Sequence, residues 1–405
     1  MISQTDRNIL RDLAKKQMEY AHSEANQENI RQWYRHNAAK PGRPLLHLEM
    51  WTFAQEIIPE RLRCEGEKAR TIETALYRNF LNRELFQDDF PVPDYFPITN
   101  DPQLIHFGLP VTRQHAKNST GHKFDHHIHD LEDDFHKLGE SIILPPASNI
   151  EEAALLEDIF GDILPIKKVM NCLYSVPTQD LVHIMSMETM YVSMLEYPEL
   201  FHKMMQKYVA NTSQFYRYLE SQGLQTTNGN ETLGQGSWCF NNELKSTSNL
   251  KSTDVWGYMD SQETAAISPA MFKEFIFPYY QEISSNFGML SYGCCEPIHA
   301  IWDDSISKLP NLRKASVSPW CDIDFIGERL RGSGIIFHRK PTATILGVGS
   351  NLDEEVLRKY IKETLIAAKG CILEITQRDV YTINNDIKKA KRYVEIIREE
   401  IENHW

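Results

Sequence analysis

The chain has 405 residues, 43 of them basic and 56 acidic, for a formal charge of −13. That balance argues against a binder of phosphate backbones, which needs a basic face, though it leaves room for a local basic pocket. Apolar residues at 41% and charged residues at 24% are globular values, and the length suits one large barrel with additions or two to three smaller domains. Seven scattered cysteines and a polar opening, Met1-Ile2-Ser3-Gln4-Thr5-Asp6-Arg7, give no sign of a disulfide framework or a secretory leader. No run approaches the ~18 apolar residues of a membrane span. The expectation is a reduced, cytoplasmic protein.

Residues 1–43 read as a helical extension: Ile9, Leu10 and Leu13 recur at helical spacing, Asp6 or Thr5 can cap, and Pro41-Gly42 ends it. Pro44–Glu49 is a short apolar run of strand length. Residues 67–86 look helical, and the prolines at 91, 93, 97 and 102 make 87–102 a loop. Residues 115–136 carry His115, His122, His126, His127, His129 and His136. His122 and His126 would share a helical face and could hold a metal; a solvated segment with incidental histidines explains them equally simply. Ile163–Met170 suggests a strand, followed by helices over Leu181–Leu195 and Pro198–Gly223.

From Leu224 onward strands and helices alternate. The strand candidates are Leu224–Thr227, Asp254–Asp260, Met289–Cys295, Leu312–Ser318, Gly334–His338 and Gly370–Ile375. Ser268-Pro269 is a strong helix start, residues 297–308 and Asp324–Leu330 look helical, and Asn351 or Asp353 can cap a helix over Asp353–Ala368. A charged helix over about Ile387–Ile401 closes the chain. Such alternation means parallel strands, and about eight candidates favour a closed (β/α)8 TIM barrel over 44–405, with an insertion at about 60–160. No glycine-rich dinucleotide fingerprint and no Walker-type phosphate loop occurs.

In a barrel the active site gathers at the carboxyl ends of the strands. Those ends offer Glu49 and Trp51; Asn228, Asn230 and Glu231; Asp260, Gln262 and Glu263; Cys294, Cys295 and Glu296; Ser318, Trp320 and Asp322; His338, Arg339 and Lys340; and Glu374, Gln377 and Asp379. The sharpest feature is Tyr292-Gly293-Cys294-Cys295-Glu296-Pro297. A thiolate beside a carboxylate suits zinc, with Glu263, His338 or Glu374 completing the ligands; two buried cysteines acting as small hydrophobes suit the same pattern. A cysteine nucleophile would need His299 or His338 as its base. Arg339 and Lys340 could bind a carboxylate or phosphate. The catalytic candidates are Glu263, Tyr292, Glu296 and His338. Candidates for holding substrate are Trp51, Trp256, Asp260, Gln262, Ser318, Trp320 and Lys340, with Trp238 and Phe240 as further pocket aromatics.

The runs Asp254-Val255-Trp256-Gly257, Ser268-Pro269-Ala270-Met271-Phe272-Lys273-Glu274-Phe275 and Pro278-Tyr279-Tyr280 resemble the uroporphyrinogen decarboxylase superfamily. Tyr292–Pro297, Ser316–Trp320 and Lys340-Pro341 look like a bacterial branch of it. The likeness is strongest over about 180–400, fainter over 1–60 and slight over 60–160. It implies a (β/α)8 fold and one of two chemistries: cofactor-free decarboxylation of a porphyrinogen, or zinc-dependent methyl transfer to or from a corrinoid on a partner protein. The decarboxylases carry an arginine-rich loop after the first strand, where this chain has Glu49-Met50-Trp51-Thr52-Phe53. The methyltransferases use His-x-Cys where this chain has Tyr292-Gly293-Cys294, and a further cysteine near Glu374–Gln377, where it has none. The implied metal set is therefore Cys294, Cys295, Glu296 and Glu374. The preferred expectation is a methyltransferase moving a methyl group from a small donor, such as an aromatic methyl ether, to the Co(I) corrinoid of a partner, assisted by zinc or a general acid. A decarboxylase and a non-catalytic barrel subunit are the alternatives, and a homodimer is an open possibility.

Overall fold

The computed structural model describes residues 2–115, 122–226, 228–244 and 248–405. The chain opens on two helices, Gln4–His22 and Glu24–Asn37. The first is capped by Ser3, whose hydroxyl accepts from the Asp6 amide, rather than by Thr5 or Asp6. Asp6 reaches instead to the amides of Glu65 and Gly66, at 2.8 and 3.1 Å, pinning this helix to the start of the helix Glu67–Leu85.

One sheet organises the fold. Its strands are β1 (Leu45–Leu48), β2 (Leu173–Tyr174), β3 (Trp256–Met259), β4 (Met289–Tyr292), β5 (Leu312–Val317), β6 (Ile336–Arg339) and β7 (Ile372–Gln377). All pairings are parallel, and the spatial order is β1-β7-β6-β5-β4-β3-β2. Chain order therefore follows sheet order, as in a β/α barrel. Helices fill the crossovers where expected: Ser268 caps Pro269–Phe275, Pro198 opens Pro198–Ser221, and Asp353 caps Glu354–Ala367. Two details differ. The helix expected over Leu181–Leu195 is two, Pro177–Ile184 and Met187–Glu196, the second restarted by the Ser186 cap. Residues 297–308 form two short 3-10 turns.

The expected eighth strand is not in this ladder: seven strands are paired, and no pairing joins β1 to β2 among the described residues. The reason lies at the outer edge of β1. There the Leu46 and Leu48 amides donate to the carboxylates of Asp89 and Asp88, each at 2.8 Å. Side chains thus take the place of a neighbouring strand. Burial would raise the Asp89 carboxyl, but Arg398 and Arg43 more than offset it and hold it at about 2. Ile166–Val169, read as a barrel strand, pairs instead with Phe96–Thr99, inside the stretch read as loop.

The opening is filled by a hairpin, Thr232–Leu233 with Ser237–Trp238. The carbonyl of Thr232 accepts from Cys172 just before β2, and Asn37 donates to the carbonyls of Trp238 and Phe240. The hairpin tip is jammed against side chains of the sheet. A Cβ on Gly234 would stand 2.5 Å from the Tyr258 ring, and one on Gly236 (φ +77°) 2.7 Å from Thr376. Inside the sheet lies a charged cluster. Lys314 of β5 donates to Glu374 of β7 and to Ser237 of the hairpin, at 2.5 and 2.6 Å. His36 and His338 flank the same carboxylate, at 3.2 and 3.6 Å. Among the described residues no helix is long and apolar enough to cross a membrane.

Candidate active site

Residues at the carboxyl ends of β1, β3, β6 and β7 meet the hairpin tip: Gln235 bonds to Tyr258, Lys340 and Arg378, and Gly236 lies beside Glu49. After β3 comes Asp260, whose Oδ2 accepts from the Tyr258 hydroxyl at 2.7 Å. Its Oδ1 is buried without a hydrogen-bond partner. Burial, and then the nearby charge of Glu296, push this carboxyl well above the ordinary carboxylate range. The surroundings of Asp260 therefore favour the protonated acid over the carboxylate.

Glu296 ties two loops together. Its oxygens accept from the Ser261 amide at 3.0 Å and the Cys294 amide at 2.9 Å. Beneath it Tyr292, fully buried, meets the Ser261 hydroxyl at 2.5 Å. Glu296 thus holds two backbone amides, and Tyr292 holds the Ser261 side chain. After β4 the Sγ atoms of Cys294 and Cys295 lie 3.6 Å apart. Cys295 is exposed and Cys294 half-buried. The Cys294 thiol donates toward Cys295, which with the charge of Lys340 lowers the Cys295 thiol to about 6 and raises that of Cys294. Cys295 is thus the thiolate at pH 7.

The organiser of this mouth is Gln235, at the hairpin tip. Its side-chain oxygen accepts from Lys340 at 2.8 Å and Arg378 at 2.5 Å, and its nitrogen donates to Tyr258 at 2.7 Å. Arg378 also reaches Glu49 at 3.1 Å. A side chain at φ +67° is strained, a mark of positions held by their surroundings. Strand-end reasoning missed Gln235 and Arg378. The available signal was the polar residue between two glycines in Gly234-Gln235-Gly236.

Of the expected residues, Asp260, Lys340, Glu49, Cys294 and Cys295 share this mouth. Glu263 sits to one side, accepting from Thr178 at 2.8 Å, its carboxyl raised mainly by burial; Gln262 beside it is half-buried. Ser318 is buried below Glu296, near its carbonyl. Trp320 is 73% exposed on the surface. Trp256 is fully buried and packs with Leu233, Cys239 and Met289, and it lines neither of the two larger cavities. Phe240 is core with Trp33 and Leu45. Trp51 and Trp238 do line a cavity, of about 750 Å³, which opens between β1 and the Phe96–Thr99 pair. A second cavity, of about 480 Å³, lies between β2 and the helix Pro198–Ser221.

His338 and Glu374 belong to the interior cluster, not the mouth. Burial pulls the His338 imidazole down to about 3, so it is neutral, and its Nε2 meets the Thr376 hydroxyl at 2.8 Å. Burial would raise Glu374, but the Lys314 ammonium and the hydrogen bond to His36 hold it well below the usual range. The four residues Cys294, Cys295, Glu296 and Glu374 do not form a metal cage: Glu296 is committed to two amides and Glu374 to Lys314. Among the described residues no group of three or more His, Cys, Asp or Glu is arranged to hold a metal ion. The helical pairing of His122 with His126 also fails, because His122–Phe124 is a strand. The side chains of His115 and His122 lie outside the described residues. His127 and His136 bond to the carbonyls of Pro110 and Asp133.

A solved methyltransferase from Methanosarcina mazei superposes on 92% of this chain and 98% of its own, with a TM-score of 0.53 and 11% sequence identity. The two proteins share a fold. No family model matches the chain, and no curated protein matches its sequence. The superfamily likeness therefore rests on the motifs quoted above, and the shared mixed α/β architecture with its parallel sheet is what the comparison establishes.

Proposed function

We propose that this protein is a methyltransferase that takes a methyl group from a small heteroatom-bound donor, with Asp260 as its general acid. The observation that carries this reading is the Asp260 carboxyl: buried, held by Tyr258 through one oxygen, and left with the other free at the end of its strand. The likeness of fold to a methyltransferase supports it. The acceptor is a reduced corrinoid presented by a partner protein at the open mouth, which supplies the nucleophile. The methyl–heteroatom bond breaks, its electron pair stays on the heteroatom, and that atom takes the Asp260 proton. Tyr258 fixes the carboxyl's orientation. Gln235 holds Lys340 and Arg378 beside it, where their charge favours the conjugate base that forms. Trp51 and Trp238 wall a separate cavity that shares Glu49 with the mouth but is not lined by Asp260. Zinc is the other means of activating a poor leaving group, and among the described residues no ligand set fits it.

The test is incubation of the full chain with a reduced corrinoid protein and a panel of ethers, amines and thioethers, followed by absorbance. Methylation with at least one donor class is expected, and Asp260→Asn should slow it by about 10²-fold. No methylation with any class overturns the reading. A second reading, decarboxylation, is favoured by one observation: Lys340 and Arg378 lie together where a substrate carboxylate could dock. Release of carbon dioxide from a porphyrinogen without a corrinoid would select it.

A further inference from the structure

The 480 Å³ cavity is within the size range of small-ligand pockets, and its lining is chemically one-sided. Its charged residues are Asp101 and Asp180; no lysine or arginine lines it. Tyr174, Tyr208, Phe215 and Tyr216 supply rings. Three buried polar atoms of the lining have no hydrogen-bond partner: Ser175 Oγ, Tyr216 OH and His106 Nδ1. Ser175 and Tyr216 are each only 2% exposed. Their hydroxyls lie close enough for Ser175 to lower the Tyr216 phenol, yet they do not meet in bonding geometry. Buried polar groups of this kind call for a ligand or an ordered water.

The imidazole decides which ligand. Burial pulls His106 down to about 3, so the ring is neutral. Its Nε2 stands 3.5 Å from Asp180 Oδ2, which favours the proton there and leaves the unpartnered Nδ1 free to accept. Asp180 already accepts from Tyr208 at 2.6 Å and keeps further lone pairs. The Ser175 and Tyr216 hydroxyls can accept as well. The lining is thus rich in acceptors, holds no cation and is walled by rings. Two acidic side chains repel an anion, and a ligand without donors satisfies none of the bare acceptors.

We propose that this cavity binds a small protonated organic amine, its N–H groups directed at Asp180, His106 Nδ1 and Ser175, its hydrocarbon part against the tyrosines. The ammonium over ring faces adds a cation–π attraction. Asp180 is pushed up to about 7 by burial, and an arriving cation relieves that. The site stands apart from Asp260, across the stacked rings of Tyr174 and Tyr258 at 4.9 Å, and the inference does not rest on methyl transfer.

Isothermal titration of the full chain at pH 7.5 tests it, with benzylamine as probe and benzyl alcohol as its neutral counterpart. Saturable one-to-one binding of benzylamine is expected, about tenfold or more tighter than the alcohol. Asp180→Asn should weaken the amine by about tenfold while barely changing the alcohol. Tyr216→Phe, which removes one oxygen, serves if Asp180→Asn fails to fold, and should also weaken the amine. Equal binding of the two probes overturns the proposal. So does the absence of saturable binding at millimolar probe, which would leave a cavity of ordered water.

Discussion

Asp260 and Glu374 are both carboxyls buried within one sheet, yet their surroundings drive them in opposite directions. Glu374 has Lys314 and two imidazoles around it and is held far below the usual range. Asp260 has Glu296 nearby and one free oxygen, and is pushed far above it. Similar burial thus favours the anion in one place and the protonated acid in the other. The neighbours decide, not the residue type or its depth.

The largest expected effect comes from removing the cation of the interior pair. Lys314→Met leaves Glu374 buried without its main partner and should cost about 3–5 kcal/mol in urea unfolding. Adding Glu374→Gln should recover much of that loss, because the stranded charge is gone. If the double variant is as unstable as the sum of the singles, the two sites do not differ as described.

Asp260→Asn should do the reverse: a loss of about 10²-fold in methyl transfer with a small change in unfolding. The pH dependences follow the same contrast. Asp260 has a raised folded pKa, so its contribution to stability is complete below the ordinary carboxylate range and is lost as pH rises through the raised value. Methyl transfer should fall as pH rises through the same raised value, and Asp260→Asn should lack that limb. Glu374 has a depressed pKa; its contribution is present above about 4.3 and is lost as pH falls through the folded value. Unfolding measured from pH 3 to 9 in Glu374→Gln and Asp260→Asn should therefore diverge from the native chain at opposite ends.

Gln235→Ala is the next step down. It unties Lys340, Arg378 and Tyr258 together and should cost about 1–3 kcal/mol, along with about tenfold in rate, since tenfold corresponds to 1.36 kcal/mol of barrier. Activity unchanged in this variant would mean that the hairpin tip only fills space. The smallest effect is expected at Cys295. Cys295→Ser should leave unfolding within about 0.5 kcal/mol, as for an exposed position. In the native chain Cys295 should be alkylated first among the seven cysteines, with a midpoint near pH 6.

Much of this architecture was legible from local signals. The Ser268-Pro269 start, the Asp353 cap and the strand–helix alternation each fall where backbone chemistry puts them, and Tyr292–Glu296 does lie at the mouth. Two failures have physical causes. Glu374 and His338 were taken as strand ends, but β7 runs on to Gln377 and β6 to Arg339. At ~3.3 Å per residue, Glu374 lies about 10 Å short of the end, inside the sheet. The true end residue is Arg378, which joins the mouth. Gln235 escaped because it arrives on a hairpin, not on a strand, and its position depends on contacts distant in sequence. The open edge of β1 escaped for a similar reason. Nothing local marks Asp88 and Asp89 as substitutes for a strand until the fold brings them beside Leu46 and Leu48.

The most direct test of the central claim is carbon-13 NMR of carboxyl-labelled aspartate, with the Asp260 signal assigned by its loss in Asp260→Asn. The account predicts a carboxyl that remains protonated at pH 7. A signal titrating near the ordinary value of about 3.9 would contradict it.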